Sequence, residues 1–279
     1  MADGGEPMTA ASPAIEARGV VVRASERLLV DGVDLIVHAG EVLALAGPNG
    51  AGKSTLMKAL AGDLVPDSGE VLLEGQPIGR LAVRELARRR AVLPQQTLLQ
   101  FAFTAREVVE MGRGPRGMDD HGASVVEQAM ARTDVLGLAD RTYPTLSGGE
   151  QARVTLARVL AQETPILLLD EPTAALDLRH QQLVMEIARD LASTGAAVVA
   201  ILHDLNLAAA HADRIALLHG GRLVACDRPW QALEPLLLSE IFDCPIAIGK
   251  HPIHGCPMVM PLPRTAAHRG LTAQDLTLP

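Results

Sequence analysis

Aromatic side chains are scarce: the 279 residues include one Trp, one Tyr and three Phe, 2% in all. Two of the three phenylalanines, Phe101 and Phe103, nevertheless stand two positions apart, which asks for a local reason. Cysteine is scarce too: Cys226, Cys244 and Cys256 are odd in number and widely spaced, which argues against a disulfide framework and is neutral for a reducing compartment. Long hydrophobic runs are missing. The strongest, AAVVAIL at 196–202 and ILLLD ending at Asp170, fall far short of the roughly 20 residues that a bilayer-crossing helix needs. Surplus positive charge is missing as well: 33 acidic against 25 basic residues leave a net charge of −8, which argues against bulk nucleic-acid binding, and Arg88, Arg89 and Arg90 read as a solvated helix face. The first residues lack the basic start and apolar centre of a secretory signal and read as a polar tail, so a cytoplasmic location is expected. What the chain has is aliphatic bulk. With 48% hydrophobic residues it can bury a large core, as one big domain or two small ones.

The nearly unbroken apolar run EVLALA at 41–46 is followed by GPNGAGKST at 47–55, then by helix formers that stop at Gly62. Strand, glycine loop and helix in that order, with Gly47, Gly52, Lys53 and Ser54 fitting G-x-x-x-x-G-K-[ST], make a phosphate loop of a nucleoside triphosphatase. Gly50 and Gly52 let the backbone aim N–H groups at an anion, the helix N-terminus adds its positive end, and Lys53 reaches the β- and γ-phosphates. Pro48, Asn49, Ala51 and Thr55 complete the nucleotide-binding stretch, and the Ser54 hydroxyl is placed for Mg²⁺. A glycine-rich turn before a core helix would have no use for Lys-Ser directly after its last glycine.

Residues 165–170 read as a buried strand with an acid at its C-terminal end, where α/β sheets place their ligands. Asp170 is expected to hold Mg²⁺ through water, and Glu171 to act as general base on the water that attacks the γ-phosphate. Taken alone, LLLDE also fits a strand ending in a solvated acidic turn; the upstream phosphate loop decides against that.

LSGGE at 146–150 is where the chain resembles the ATP-binding cassette (ABC) superfamily, whose LSGGQ signature it varies only at the fifth position. The resemblance covers 15–240 and implies an α/β fold: a P-loop NTPase cassette with a RecA-like core, a small antiparallel β subdomain and an inserted helical subdomain at about 96–155. Residues 1–14 are then a tail, 241–279 are a C-terminal extension, and the chain from Arg264 onward is expected to fray. Ser147 with Glu150 is also a capping box for the following helix, and the two roles are compatible. The resemblance implies that Ser147, Gly148 and Gly149 meet the γ-phosphate held by a second copy. It makes Gln95 (or Gln96 in the alternative register) the Q-loop contact to metal and attacking water, Asp177 the D-loop residue at the dimer interface, and His203 the switch histidine on the γ-phosphate. One chain with one P-loop and one signature cannot complete a site, so a two-fold homodimer burying two ATP is expected. A single cassette argues against the two-cassette translation factors of the superfamily. The family's aromatic for adenine is absent from 19–29; Arg23 is the substitute candidate through its planar guanidinium.

In cassettes of this family that drive transport, a groove after the Q-loop accepts a helix of the membrane subunit, so Phe101 and Phe103 are candidate permease contacts, with core filling as the alternative. Several stretches, among them LAGDLVPDSGEV and HDLNLAAAHADRIALL, are similar to the ATPases of bacterial haem importers, within the group that also serves ferric siderophores and cobalamin. That implies an ATPase peripheral on the cytoplasmic face of the inner membrane, beneath a permease dimer and served indirectly by a periplasmic binding protein. The other class considered is a soluble cassette in iron–sulfur cofactor assembly. Cys244, Cys256, His251 and His254 in the tail include thiolate and imidazole donors suited to haem iron, or else pack as small hydrophobes and turn residues.

Overall fold

The computed structural model describes residues 13–95 and 101–263. Its centre is a six-stranded sheet ordered β10-β9-β3-β8-β7-β6, made of β3 (Val42–Ala46), β6 (Arg90–Leu93), β7 (Ile166–Asp170), β8 (Ala197–Ile201), β9 (Arg214–His219) and β10 (Arg222–Asp227). All neighbours are parallel except β10, which returns antiparallel to β9 through the Gly220-Gly221 turn. Strands β3, β7 and β8 are buried at every residue. Continuous apolar runs of this kind suit a parallel sheet covered on both faces.

The period-2 alternation of a strand assigns the faces. Val42, Ala44 and Ala46 meet Val184, Met185 and Ala188 of α6 (Leu178–Ser193). Leu43 and Leu45 face the other way, against Leu56 and Leu60 of α1 (Lys53–Ala61) and Ile15 and Val20 of β1 (Pro13–Ala24). Burying each such large aliphatic side chain is worth about 1.5–3 kcal/mol. β1 starts a second, antiparallel sheet ordered β2-β1-β4-β5, with β2 (Arg27–His38), β4 (Ser68–Leu73) and β5 (Gln76–Pro77); α2 (Val83–Arg89) leads from it back to β6.

A third core lies between β6 and β7 in the chain. There α3 (Ala105–Glu110), α4 (Asp120–Arg132) and α5 (Gly148–Leu160) bury Ala105, Val108, Met130, Val154 and Ala157 against one another. α3 starts on a full capping box, Thr104 with Glu107, and α5 on another, Ser147 with Glu150.

After β8 come α7 (Leu205–His211), β9, β10, α8 (Pro229–Ala232) and α9 (Pro235–Ile241). The segment expected as an extension begins with a hairpin, β11 (Ile246–Lys250) and β12 (Pro257–Pro261), whose Ile246, Ile248 and Val259 belong to the same core as α6 and the central sheet. The chain therefore has no break in its packing at residue 240. The expectation of fraying from Arg264 lies outside the described residues.

Candidate functional site

The loop after β3 has the backbone its glycines allow: φ is 140° at Gly47, 77° at Gly50 and 102° at Gly52. Contact requires two of them as well. A Cβ on Gly47 would lie 2.1 Å from the Leu218 carbonyl oxygen, and one on Gly52 2.2 Å from that of Leu29. Gly52 is the N-cap of α1 and supplies no side-chain bond, whereas α5, α6 and α7 are capped by Ser147, Asp177 and Asp204. The first-turn N–H groups of α1 are thus left without a capping side chain, beside the positive end of the helix dipole, which is what an anion site needs.

Lys53 Nζ donates to the carbonyls of Gly47 at 2.7 Å and Pro48 at 2.8 Å, laying the ammonium along the loop. Burial lowers its pKa, while the Glu171 and Asp170 carboxylates pull the other way. A cavity of about 310 Å³ over this loop is lined by Asn49, Gly50, Gly52, Lys53, Ser54 and Thr55; Ala51 is buried behind it.

The chemistry-bearing side chains reach that cavity because neighbouring parallel strands end in register. Leu93 pairs with Leu169, and Leu169 with Ala200. Gln95, Glu171 and His203 each follow these positions by two or three residues, so they leave the sheet at the same edge, and all three line the cavity. Glu171 sits at φ 52°, a left-handed conformation that costs a non-glycine residue of the order of 1–3 kcal/mol and is tolerated where surroundings over-determine it. Here two side chains do so: Gln95 Nε2 donates to Glu171 Oε2 at 2.9 Å, and His203 Nε2 lies 2.7 Å from Oε1. A carboxylate only accepts, so the proton in this contact is on His203 Nε2. Next to it, the buried Asp170 accepts from Ser54 Oγ at 3.5 Å, a long contact. Burial raises the Asp170 pKa, and the neighbouring Glu171 adds to the shift.

The signature residues stand outside this cavity. Ser147 is fully engaged in its capping box: its N–H and hydroxyl donate to Glu150 Oε2 at 2.7 and 2.8 Å, and its Oγ accepts from the Glu150 N–H at 3.4 Å. Gly148 lines a separate cleft of about 230 Å³ that also reaches Gln95, Asp170 and Glu171. Gly149 lies under α6's approach, where a Cβ would come 3.3 Å from the Ala175 carbonyl oxygen. Asp177 caps α6, accepting from the His180 N–H at 2.9 Å and lying 2.8 Å from His180 Nδ1.

Three contributions escape inspection of the sequence. Arg27 and Leu29 line the nucleotide cavity, and Arg23 does not; Arg23 is exposed, with its backbone N–H donating to Asp67, because the β1–β2 turn places Arg27 on the cavity side. The lone tyrosine, Tyr143, is buried with its hydroxyl 3.1 Å from Thr155, and Gln151 donates to the carbonyls of Tyr143 and Leu146, so that the signature loop is pinned to α5. His180 ties Asp177 to the helical layer, its Nε2 lying 3.6 Å from Asp134.

The structure also separates the phenylalanines: Phe101 is 72% exposed, while Phe103 packs half-buried on the helical core, its ring 6.0 Å from that of Phe101. Phe103 is thus partly committed to packing, and Phe101 carries the exposed aromatic surface. Gln96 lies outside the described residues.

The profile of the ABC transporter family matches residues 30–174. The chain is 54% identical over 248 residues to the hemin import ATP-binding protein HmuV of Streptomyces coelicolor, covering 88% of this chain and 89% of that one. It is 52% identical over 256 residues to the protein of the same name from Nocardia farcinica, covering 89% of each. Among solved structures, an inward-facing ABC transporter assigned to the metal-chelate type superposes with a TM-score of 0.78 at 27% identity, over 91% of this chain and 99% of that one. A dimeric ATP-binding cassette holding ADP and phosphate does so with a TM-score of 0.70 at 28% identity, over 77% and 98%. Agreement of this closeness along nearly nine-tenths of both sequences, on a phosphate loop built as described, leaves one assignment: the chain belongs to the ABC transporter family, as one of its ATP-binding cassettes.

Proposed function

We propose that this cassette is the ATPase subunit of an importer that carries haem across the inner membrane, working as a homodimer on the cytoplasmic face beneath a permease dimer that a periplasmic binding protein loads. The observation that carries the ATPase part is Glu171, held between Gln95 and His203 at the mouth of the phosphate loop. Glu171 is the general base; Gln95 and His203 fix its carboxylate toward a water on the γ-phosphate, and His203 Nε2–H is a donor for that phosphate once it arrives. Ser54 and Asp170 offer hard oxygen donors of the kind that would hold Mg²⁺, which would supply charge neutralisation for the phosphates. The Arg27 guanidinium and the Leu29 side chain, at the cavity rim, hold the base in place of an aromatic. Placement of Ser147, Gly149 and Asp177 outside the phosphate cavity supports a site completed by the signature of a second copy.

The cargo rests on relatives named for hemin import. The metal-chelate type of the structural neighbour keeps ferric siderophore or cobalamin as the second cargo class. The test is ATP hydrolysis by the membrane complex purified through this chain, reconstituted and presented with binding proteins loaded with haem, ferric siderophore or cobalamin. Selective stimulation by the haem-loaded protein is expected. Stimulation by another cargo would replace haem, and recovery of the chain with no membrane partner would favour a soluble cassette of cofactor assembly.

A further inference from the structure

Among the described residues, α3, α4, α5, α6 and α7 each start on a side-chain cap: Thr104, Asp119, Ser147, Asp177 and Asp204. Four positions past these caps stand Val108, Ala123, Gln151, Gln181 and Ala208. Of these helices α5 and α6 alone carry a long amide there, and both use it in the same way. Gln151 Nε2 donates to the carbonyls of Leu146 at 3.0 Å and Tyr143 at 3.2 Å, which stand one and four positions before the cap. Gln181 Nε2 donates to the carbonyls of Leu176 at 3.1 Å and Thr173 at 3.3 Å, again one and four positions before the cap. The backbone repeats as well, with the Leu146 N–H on the Tyr143 carbonyl at 3.1 Å and the Leu176 N–H on the Thr173 carbonyl at 3.2 Å. YPTLSGGEQ and TAALDLRHQ thus fold into one hydrogen-bonded arrangement.

Helix capping does not call for these glutamines, because the cap already serves the first-turn N–H groups. The carbonyls that the amides reach lie outside the helices, so each amide serves the loop. Both loops line the cleft that reaches Gln95 and Glu171, and they meet where the Ala175 carbonyl oxygen stands over Gly149.

The loop before α6 bears on the chemistry directly, because Glu171 is its first residue. Gln95 and His203 hold the carboxylate of Glu171, whereas its left-handed backbone is held from the C-terminal side. There the Glu171 carbonyl accepts from the Ala174 N–H at 3.2 Å, and the turn that follows is tied to α6 by the Gln181 amide. α6 is a firm anchor, since its Val184, Met185 and Ala188 belong to the central core. Without the amide, the Thr173 and Leu176 carbonyls lose that donor and the turn loses its side-chain tie to the helix. A glutamate at φ 52° then relaxes toward the ordinary backbone region. Misplacing a reacting group by about 1 Å can cost about 10²-fold in rate.

We propose that Gln181 is a positioning residue for ATP hydrolysis: its amide locks the 173–176 turn to α6 and so holds Glu171 where it meets Gln95 and His203. Gln181 acts through Glu171, and it does not line the cavity over the phosphate loop. The proposal rests on the reading of Glu171 as the general base.

The experiment is ATP saturation kinetics of the full-length protein, purified with the partners it retains. Gln181→Met keeps the length of the side chain and removes the donor. Gln181→Glu keeps its shape and turns acceptors toward the two carbonyls, and it answers the same question if the Met variant does not fold. Far-UV dichroism and ATP binding check folding. Either variant should lower kcat about tenfold or more and leave KM for ATP within about twofold. An unchanged kcat, or a raised KM with kcat intact, would overturn the proposal. Single-turnover hydrolysis in the Glu171→Gln background separates positioning from general loosening. Adding Gln181→Met there should deepen the defect by less than about twofold, because its effect passes through Glu171; a full multiplicative loss would leave Gln181 a structural residue. Fast turnover in Glu171→Gln alone would remove the base itself, whereas a slow Glu171→Gln beside a normal Gln181→Met would remove the positioning role and leave the base in place.

Discussion

Glu171 is the residue on which the proposed chemistry turns, and its environment is unusual at both backbone and side chain. Its φ of 52° is unfavourable, yet Gln95 and His203 fix the carboxylate from two sides. Glu171→Gln keeps the shape and removes the base, so hydrolysis should fall by about 10²–10⁴ while equilibrium ATP binding survives, measured by phosphate release and a nucleotide-binding assay. Rapid turnover in that variant would reassign the base. Asp170 makes a different trade. A carboxyl whose folded-state pKa is raised contributes stability below its unfolded pKa and loses it as pH rises through the folded one, so at neutral pH ionised Asp170 opposes folding. Asp170→Asn should therefore melt above the wild type at pH 7 without nucleotide, with the advantage shrinking in acid, and should lose Mg²⁺-dependent hydrolysis. A lower melting temperature would show that the carboxylate is held by more than Ser54. Gly52→Ala, with its Cβ driven against the Leu29 carbonyl, should unfold the loop and abolish ATP binding in a thermal-shift assay.

At the scale of elements, helix starts carry the function. α1 is left uncapped and faces phosphate, whereas α5 starts on a capping box that occupies the hydroxyl of Ser147. Ser147→Ala and Glu150→Ala should each cost about 1 kcal/mol of stability through the lost cap. Only Ser147→Ala should also cut hydrolysis more than the stability loss explains, because in the proposed homodimer the hydroxyl is in addition the donor for the partner's phosphate. Equal effects of both on hydrolysis would reduce Ser147 to a cap. Between elements, His180 lies against Asp177 on one side and Asp134 on the other, joining α6 to the helical layer; its Nε2 is buried without a hydrogen-bond partner. A double-mutant cycle on Asp134 and His180, read in ATPase rate, should give a coupling of about 0.5 kcal/mol or more, and additivity would mean the two layers communicate elsewhere.

For the whole molecule, the scarcity of aromatics sharpens the permease question. Phe101 projects 72% exposed from the start of the helical layer, and Phe103 beside it is half-buried in that layer's core. Phe101→Ser should leave the melting temperature within about 1 °C and reduce copurification with membrane protein, since isolated surface changes are nearly neutral. Phe103→Ser should instead lower stability by roughly 1–3 kcal/mol through lost packing. If Phe101→Ser copurifies as well as wild type, the docking surface lies elsewhere on the helical layer. Among the described residues no helix is long and apolar enough to cross a membrane.

Some of this was written in the sequence because it is local. The phosphate loop, LSGGE, the acid pair after an apolar strand and the histidine after another are short patterns whose residue types have chemical meaning wherever they occur, and the strand and helix periods around them follow from backbone geometry. The β9–β10 turn at Gly220-Gly221 is local in the same way. What depends on register between distant segments was not. Only the aligned ends of β6, β7 and β8 bring Gln95 and His203 onto one carboxylate, and only the β1–β2 turn puts Arg27, not Arg23, beside the nucleotide. Likewise only packing on α7 turns a Cys- and His-containing tail into one wall of a groove. Residue identity determined which chemistry was possible; distances between groups far apart in the chain, which sequence spacing does not encode, decided where that chemistry is assembled.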